Sequence, residues 1–330
     1  MIRKRDLLHA AAAFAAVLVG GIVPALAQTE AAAYPTRPVR IVVGFAAGGG
    51  NDTLARIVGE RLGKVLGQPF VVENRPGAGG ISASAFMTTQ PADGYTIMVA
   101  SSGAMSIAPA VYTKMSYAPL RDFTPISLVG DYPLVLVVNN DAPYGTVSEF
   151  VTWTKNNKAA ANYATSSPSF TISTELFRLR TGAELQRVPY RSSNDSVMSV
   201  LGKQTTATVS DILPAVGLIE DKKLRALAVT SKARVPELPN VPTMAEAGIS
   251  DMEVTIWTGI FAPPGLPPDI LRKLESAAST ALNDPDTKAR LRALSIDTRI
   301  MTGADLQDYM KRDSEKWLSV AKAADLKIEP

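Results

Sequence analysis

Apolar positions along this chain gather into short β-branched runs that alternate with stretches of helical spacing. Val39 to Val43 lies between Pro38 and Gly44 and predicts a buried parallel strand. Leu54, Ile57, Val58, Leu62 and Val65 then recur at helical spacing, and Gly67-Gln68-Pro69 ends that helix. Phe70 to Glu73 predicts a second strand, Ile81 to Thr89 a helix, and Tyr95 to Ala100 a third strand. Such strand-helix alternation predicts a mostly parallel sheet.

The runs Ile126 to Val129 and Leu134 to Val138 read as two strands that carry the chain elsewhere. A second alternating set follows: helix Val147 to Asn156, strand Asn162 to Ala164, helix Ser173 to Thr181, strand Arg187 to Tyr190 and helix Asp195 to Leu201. Strand Ala207 to Ser210, helix Leu213 to Glu220 and strand Leu224 to Thr230 close it. Val254 to Phe261 reads as a returning strand, followed by helices over Asp269 to Leu282, Pro285 to Leu294 and Thr302 to Ala323. Thr302 and Asp305 have the spacing of a capping box. Two crossings of this kind predict one lobe interrupted by insertion of another.

The first residues change the compartment. Arg3, Lys4 and Arg5 precede an almost wholly apolar stretch from Leu7 to Val23, and Ala25-Leu26-Ala27 supplies small-x-small spacing for a signal peptidase. Residues 1–27 are therefore expected to be a signal peptide cleaved near Ala27, which predicts a periplasmic protein. The apolar run is short and Ala-rich for the roughly 20 residues of a spanning helix, which argues against an uncleaved anchor. Cleavage leaves 303 residues with 31 Lys and Arg against 30 Asp and Glu, a balance that gives no electrostatic case for nucleic acid or an anionic membrane. A chain of this length buries about three-quarters of its surface, usually in two domains.

Missing residue types exclude more chemistry than those present suggest. Cysteine is absent, and the single histidine, His9, lies in the leader. Disulfides, thiolate metal sites and Ser-His-Asp triads are thereby excluded, and the commonest general base is missing. No cofactor or metal is expected.

Polar or glycine-rich turns recur where predicted strands end. Gly44 to Asp52 separates a strand from a helix, and its glycines and free helix-start N–H groups suit an anion. The Lys of a nucleotide P-loop is lacking, and a tight turn capped by Asn51 or Asp52 is the other reading. Asn74 to Gly80 repeats the arrangement, although Pro76-Gly77 alone accounts for a turn. Ser101, Ser102 and Gly103 end the third strand, where open α/β sheets place ligands. Thr165 to Thr171 offers hydroxyls that hold an anion or simply cap a helix. Arg191 could fork onto a carboxylate or stand free in solvent, and Asp211 is an N-cap or a ligand partner. Their shared placement in two α/β sets makes a cleft between lobes the natural site.

The chain after the leader resembles, along nearly its whole length, the extracytoplasmic solute receptors of tripartite tricarboxylate transporters, the Bug receptors. The resemblance rests on Tyr34-Pro35-x-Arg37-Pro38, Gly48-Gly49-Gly50-Asn51-Asp52-x-x-Ala55-Arg56, and Val72-Glu73-Asn74-Arg75-Pro76-Gly77-Ala78-Gly79-Gly80. Pro91-Ala92-Asp93-Gly94-Tyr95-Thr96, Val188-Pro189-Tyr190, Leu224 to Ser231 and Val241-Pro242-Thr243-x-x-Glu246-Ala247-Gly248 extend it. It implies a type II periplasmic-binding-protein fold, two doubly wound lobes joined by a two-strand hinge. Residues 28–133 and 258–330 would form the first lobe and 134–257 the second.

The resemblance also implies a ligand carboxylate held by a loop over Phe45, Ala47, Gly48, Gly49 and Asn51. A second loop over Ser169, Phe170 and Thr171 would face it, partly through ordered water. Asp211 matches a cleft Asp that meets the ligand's variable end, and Trp257 matches an aromatic position on the crossing strand. One departure stands out: Thr171 replaces the family's usual His, and Phe170 stands where a small hydroxyl residue is common. An apolar wall at Phe170 would favour an aromatic or branched acid over citrate.

The expected function is capture of a small carboxylate-bearing molecule by a non-enzymatic monomer that serves separate permease subunits. Delivery to a signalling partner is an alternative. A secreted Ser hydrolase would need a G-x-S-x-G elbow, which is absent, and a transcription regulator would need a helix-turn-helix where the leader stands.

Overall fold

The computed structural model describes residues 33–328, so the leader lies outside the described residues. The first sheet grows from β1 (Val39–Val43), α1 (Gly50–Leu66), β2 (Phe70–Asn74), α2 (Ile81–Met87) and β3 (Thr96–Ser101). β1 pairs in parallel with both β2 and β3. Strand alternation divides β1 between two cores. Val39, Ile41 and Val43 pack with Leu54, Ile57 and Leu62 of α1, whereas Val42 faces Ala83 and Met87 of α2. A strand covered on both faces must be apolar throughout, which is why this run was legible.

β4 (Thr124–Asn139) is one continuous strand of 16 residues, where the sequence predicted two. Gly130 to Pro133 stays extended because β4 pairs antiparallel with β9 from Thr124 to Pro133, absorbing irregularities as register shifts near Pro125 and Leu128. Its second half, from Leu134, pairs instead with β7 and β8.

The second set comprises α3 (Val147–Asn156), β5 (Asn162–Thr165), α4 (Pro168–Thr181), β6 (Gln186–Pro189), α5 (Ser193–Leu201), β7 (Ala207–Asp211), α6 (Leu213–Glu220) and β8 (Leu224–Val229). Here too β4 faces two cores, Leu134, Leu136 and Val138 on one side and Val135 and Val137 on the other. The chain then returns through β9 (Thr255–Ala262), α7 (Pro268–Asn283), α8 (Pro285–Arg292), β10 (Asp297–Thr302) and α9 (Gly303–Ala323). The strand order is β2-β1-β3-β9-β4-β7-β5-β6, with β8 and β10 also on β4. Parallel pairing is thus confined to the outer strands, and every pairing of β4 and β9 is antiparallel.

Where the chain passes between sheets, Thr230 ties the crossings together. Leu134 N–H donates to its hydroxyl oxygen at 2.8 Å, and that hydroxyl donates to Val254 O at 2.6 Å. Backbone bonds Thr230 N to Leu134 O and Val254 N to Thr230 O complete the clasp. The expected lobe boundary between 257 and 258 falls inside β9, whose pairing with β4 begins at Thr255.

One expectation about the site needs correction here. Ser169, Phe170 and Thr171 are not a loop; they form the first turn of α4, which starts five residues before the predicted Ser173. Pro168 fits the first helical position, and the Ser167 Oγ accepts from Phe170 N at 3.4 Å. β10 was not foreseen, because its Asp297 to Thr302 sequence is half-polar and lies along an edge of β4.

Candidate functional site

α1 begins without a side-chain cap: Gly49 is its N-cap residue, so the first N–H groups keep no side-chain partner. The loop before it is held from behind. The buried Asp52 carboxylate accepts from Gly48 N at 2.8 Å, Arg56 Nε at 3.0 Å and Asn74 Nδ2 at 2.9 Å. Asn74 Nδ2 also donates to Phe45 O at 3.0 Å. Burial pushes the Asp52 carboxyl up, but the hydrogen bonds from Arg56, Gly48 and Asn74 outweigh it and hold the group below its ordinary range. Asp52 and Asn74, from two separate sequence motifs, therefore shape one loop.

Opposite this loop, β5 runs into Ser166 and Ser167 and then α4. β6 leads to Arg191 and to Ser192, whose Oγ caps α5 by accepting from Asp195 N at 3.1 Å. A cavity of about 860 Å³ lies between. Residues Phe45 to Asn51 line one side, and Ser166, Ser167, Ser169, Phe170 and Arg191 to Asp195 line the other. The starts of α1, α4 and α5 thus meet one space, and each contributes partial positive charge to it.

Asp211 ends β7 at the cavity wall. Burial raises its carboxyl above the ordinary range despite hydrogen bonds from Ser193, the backbone and Ser210. Tyr132, on β4, lines the same wall; burial first, then the charge of Asp211, push its hydroxyl up, while a hydrogen bond with the Asn51 side chain opposes them. The Thr258 hydroxyl donates to Asn51 Oδ1 at 3.3 Å. Both crossing strands therefore orient the Asn51 amide.

Of the residues singled out in the sequence, Phe45, Ala47, Gly48, Gly49, Asn51, Ser101, Ser169, Phe170 and Asp211 line this cavity. Ser102, Thr171 and Trp257 do not. Thr171 lines an adjoining cavity, its hydroxyl 3.0 Å from that of Thr165. Ser102 is buried, and its Oγ has no hydrogen-bond partner among the described residues. Trp257 is turned away: Thr258 reaches Asn51, so its strand neighbour points to the opposite face. There the indole Nε1 donates to Asp313 Oδ2 at 2.7 Å, and the ring packs near Tyr309 and Phe261. Sequence reasoning missed Tyr132 and Thr258, and only the parity of a strand whose register was unknown could have found them.

The tripartite tricarboxylate transporter family receptor model matches residues 54–326. The chain is 32% identical to protein BugT of Bordetella pertussis, covering 92% of this chain and 94% of BugT. The solved structure of Rpa4515 from R. palustris with adipate superposes with a TM-score of 0.85 at 31% identity, over 90% of this chain and all of that one. MatC (Rpa3494) from Rhodopseudomonas palustris with bound malate gives a TM-score of 0.80 at 30% identity, over 87% of this chain and 99% of that one. Matched over most of its length in sequence and in its two-lobe periplasmic-binding-protein fold, the chain belongs to the tripartite tricarboxylate transporter family of solute-binding receptors.

Proposed function

We propose that this receptor is exported to the periplasm after cleavage near Ala27 and captures a small organic acid between its lobes. It then hands the acid to separate membrane permease subunits of a tripartite tricarboxylate-type transporter. The first lobe comprises residues 28–133 and 258–330, and the second comprises 134–257. The observation that carries this reading is the convergence of three helix starts on one cavity, the first of them without a side-chain cap. Carboxylate oxygens accept several N–H and O–H bonds at once, which suits the uncapped start of α1 and the serine hydroxyls opposite it. The similarity to structures holding adipate and malate, both dicarboxylates, supports the same class of ligand here.

Affinity in the micromolar range, about −8 kcal/mol, suits a cleft of this kind. Thermal unfolding across a panel of mono-, di- and tricarboxylates, with native mass spectrometry of the purified protein, tests the reading. A true ligand at about 100 times its Kd adds roughly 2.7 kcal/mol and raises the melting temperature. A panel in which no acid raises it would overturn the proposal.

A further inference from the structure

Beside the main cavity lies a second one of about 580 Å³ that shares Pro76, Ser166, Ser167 and Arg191 with it. Resting on the carboxylate reading of the main cavity, we propose that this annexe takes the far carboxylate of an elongated dicarboxylate, on Arg187 and Arg191. The site would then grade acids by length as well as by headgroup.

Arg187 lies on β6, and Arg191 lies in the bend that follows it. β6 pairs in parallel with β5 and sets Arg187 beside Tyr163, and the ladder continues to Tyr190, whose N–H donates to Thr165 O at 2.7 Å. Arg187 and Pro189 therefore share one side of β6, and Arg191 follows in the bend after Tyr190. Arg187 and Arg191 both line the annexe, and among the described residues no Asp or Glu does. Neither guanidinium makes an ion pair or hydrogen bond with any described residue. That contrasts with Arg178, a short way back along the chain, which is paired with Glu175.

The rest of the annexe suits the chain of such a ligand. Tyr112, Pro189, Tyr190 and Ile328 give it apolar walls, and Thr171 adds a hydroxyl to the wall next to the start of α4. Arg187 is close enough to Tyr112 for its charge to oppose the effect of burial on that hydroxyl. Guanidinium forks bind carboxylate oxygens in pairs, so an unpaired Arg at the end of an apolar channel selects a terminal carboxylate over a methyl or an amide. Arg191, common to both cavities, lies where the ligand passes between them.

Isothermal titration with succinate, adipate, sebacate and sebacic acid monoamide, on the wild-type protein and the Arg187→Gln variant, tests this. Arg187 lines only the annexe, so the variant is expected to weaken sebacate about tenfold while leaving succinate within about twofold. The monoamide should lose the wild-type advantage of the diacid, and the melting temperature of the variant without ligand should be unchanged. Equal losses for all acids, or no loss for sebacate, overturn the proposal, as does a wild-type protein that binds succinate but not sebacate. Two equivalents of succinate, the second lost in Arg187→Gln, would identify an independent anion site and overturn the single bridging ligand. Failure of every acid to bind would instead bring down the reading of the main cavity.

Discussion

The two walls of the cleft are built on different principles. In the first lobe, Phe45 to Asn51 offers mainly backbone, and the side chains that matter stand behind it: Asp52, Arg56 and Asn74 fix the loop from outside the cavity. In the second lobe, the side chains themselves reach the space, among them Ser169, Phe170, Arg191 and Asp211. Backbone amides recognise any carboxylate; side chains decide what is attached to it. On the proposed reading, the first wall would read the carboxylate alone, and the second would hold it as well and add the side chains that tell one acid from another.

The sharpest way to break that division is from behind the first wall. Asp52→Ala leaves the Gly48 N–H, Arg56 and Asn74 without their acceptor, and is expected to cost about 2 kcal/mol in chemical denaturation. Affinity should fall for every acid alike, because the loop is lost rather than a selective contact. A variant that discriminates among acids would show that the first wall carries specificity.

Second in size is the contact between the walls. Gly79, at φ +65°, lies so close to the second lobe that a Cβ there would stand 2.5 Å from Pro168 Cδ and 3.1 Å from Ser167 Cα. Gly79→Ala combines that collision with a left-handed backbone that costs an L-residue about 1 kcal/mol. It should weaken all ligands by titration calorimetry, through poorer approach of the start of α4 to the first lobe. Unchanged affinity would mean that this approach is not needed for binding.

Phe170→Ser sharpens the comparison from the other side. Replacing an apolar wall by a hydroxyl should move preference from aromatic or branched acids toward citrate-like ones, by about tenfold in the Kd ratio. Phe170 also packs into the core of the second set, so the variant is expected to lose about 3 kcal/mol of stability, and unchanged preference in the folded variant would remove Phe170 from the specificity set.

The smallest effect concerns pH. The folded Asp211 carboxyl titrates above its unfolded value, so the folded state holds that proton more tightly. Its contribution to stability is greatest when protonated and declines as pH rises from the unfolded pKa through the folded one. Asp211→Asn should lack that decline, and the variant should gain on the wild type across this window in thermal unfolding at stepped pH. A parallel pair of curves would contradict the assignment.

How much of this was legible depended on whether local chemistry or distant pairing decided the outcome. β1 and the helical face of α1 were readable because both faces of the strand are buried and the helix has one apolar stripe. The glycine run before α1 was readable as a place where backbone could meet an anion. The start of α4 was misplaced because Ser167-Pro168 signals a turn and a helix cap equally well. Family position marks Trp257 as aromatic but not its direction, which follows from strand parity, and parity is fixed only by the pairing of Trp257 with Asp131. Tyr132 sits beside Pro133 in a stretch that reads as a break, and only pairing with β9 keeps it extended and brings it to Asn51.

A crystal structure of the protein with a short dicarboxylate taken from the thermal screen would probe the central claim most directly. One carboxylate of the ligand should touch amides or side chains between Phe45 and Asn51 and, in the same molecule, hydroxyls or amides at the start of α4. A carboxylate that reaches only one of these two walls, or that sits away from both, would contradict the account.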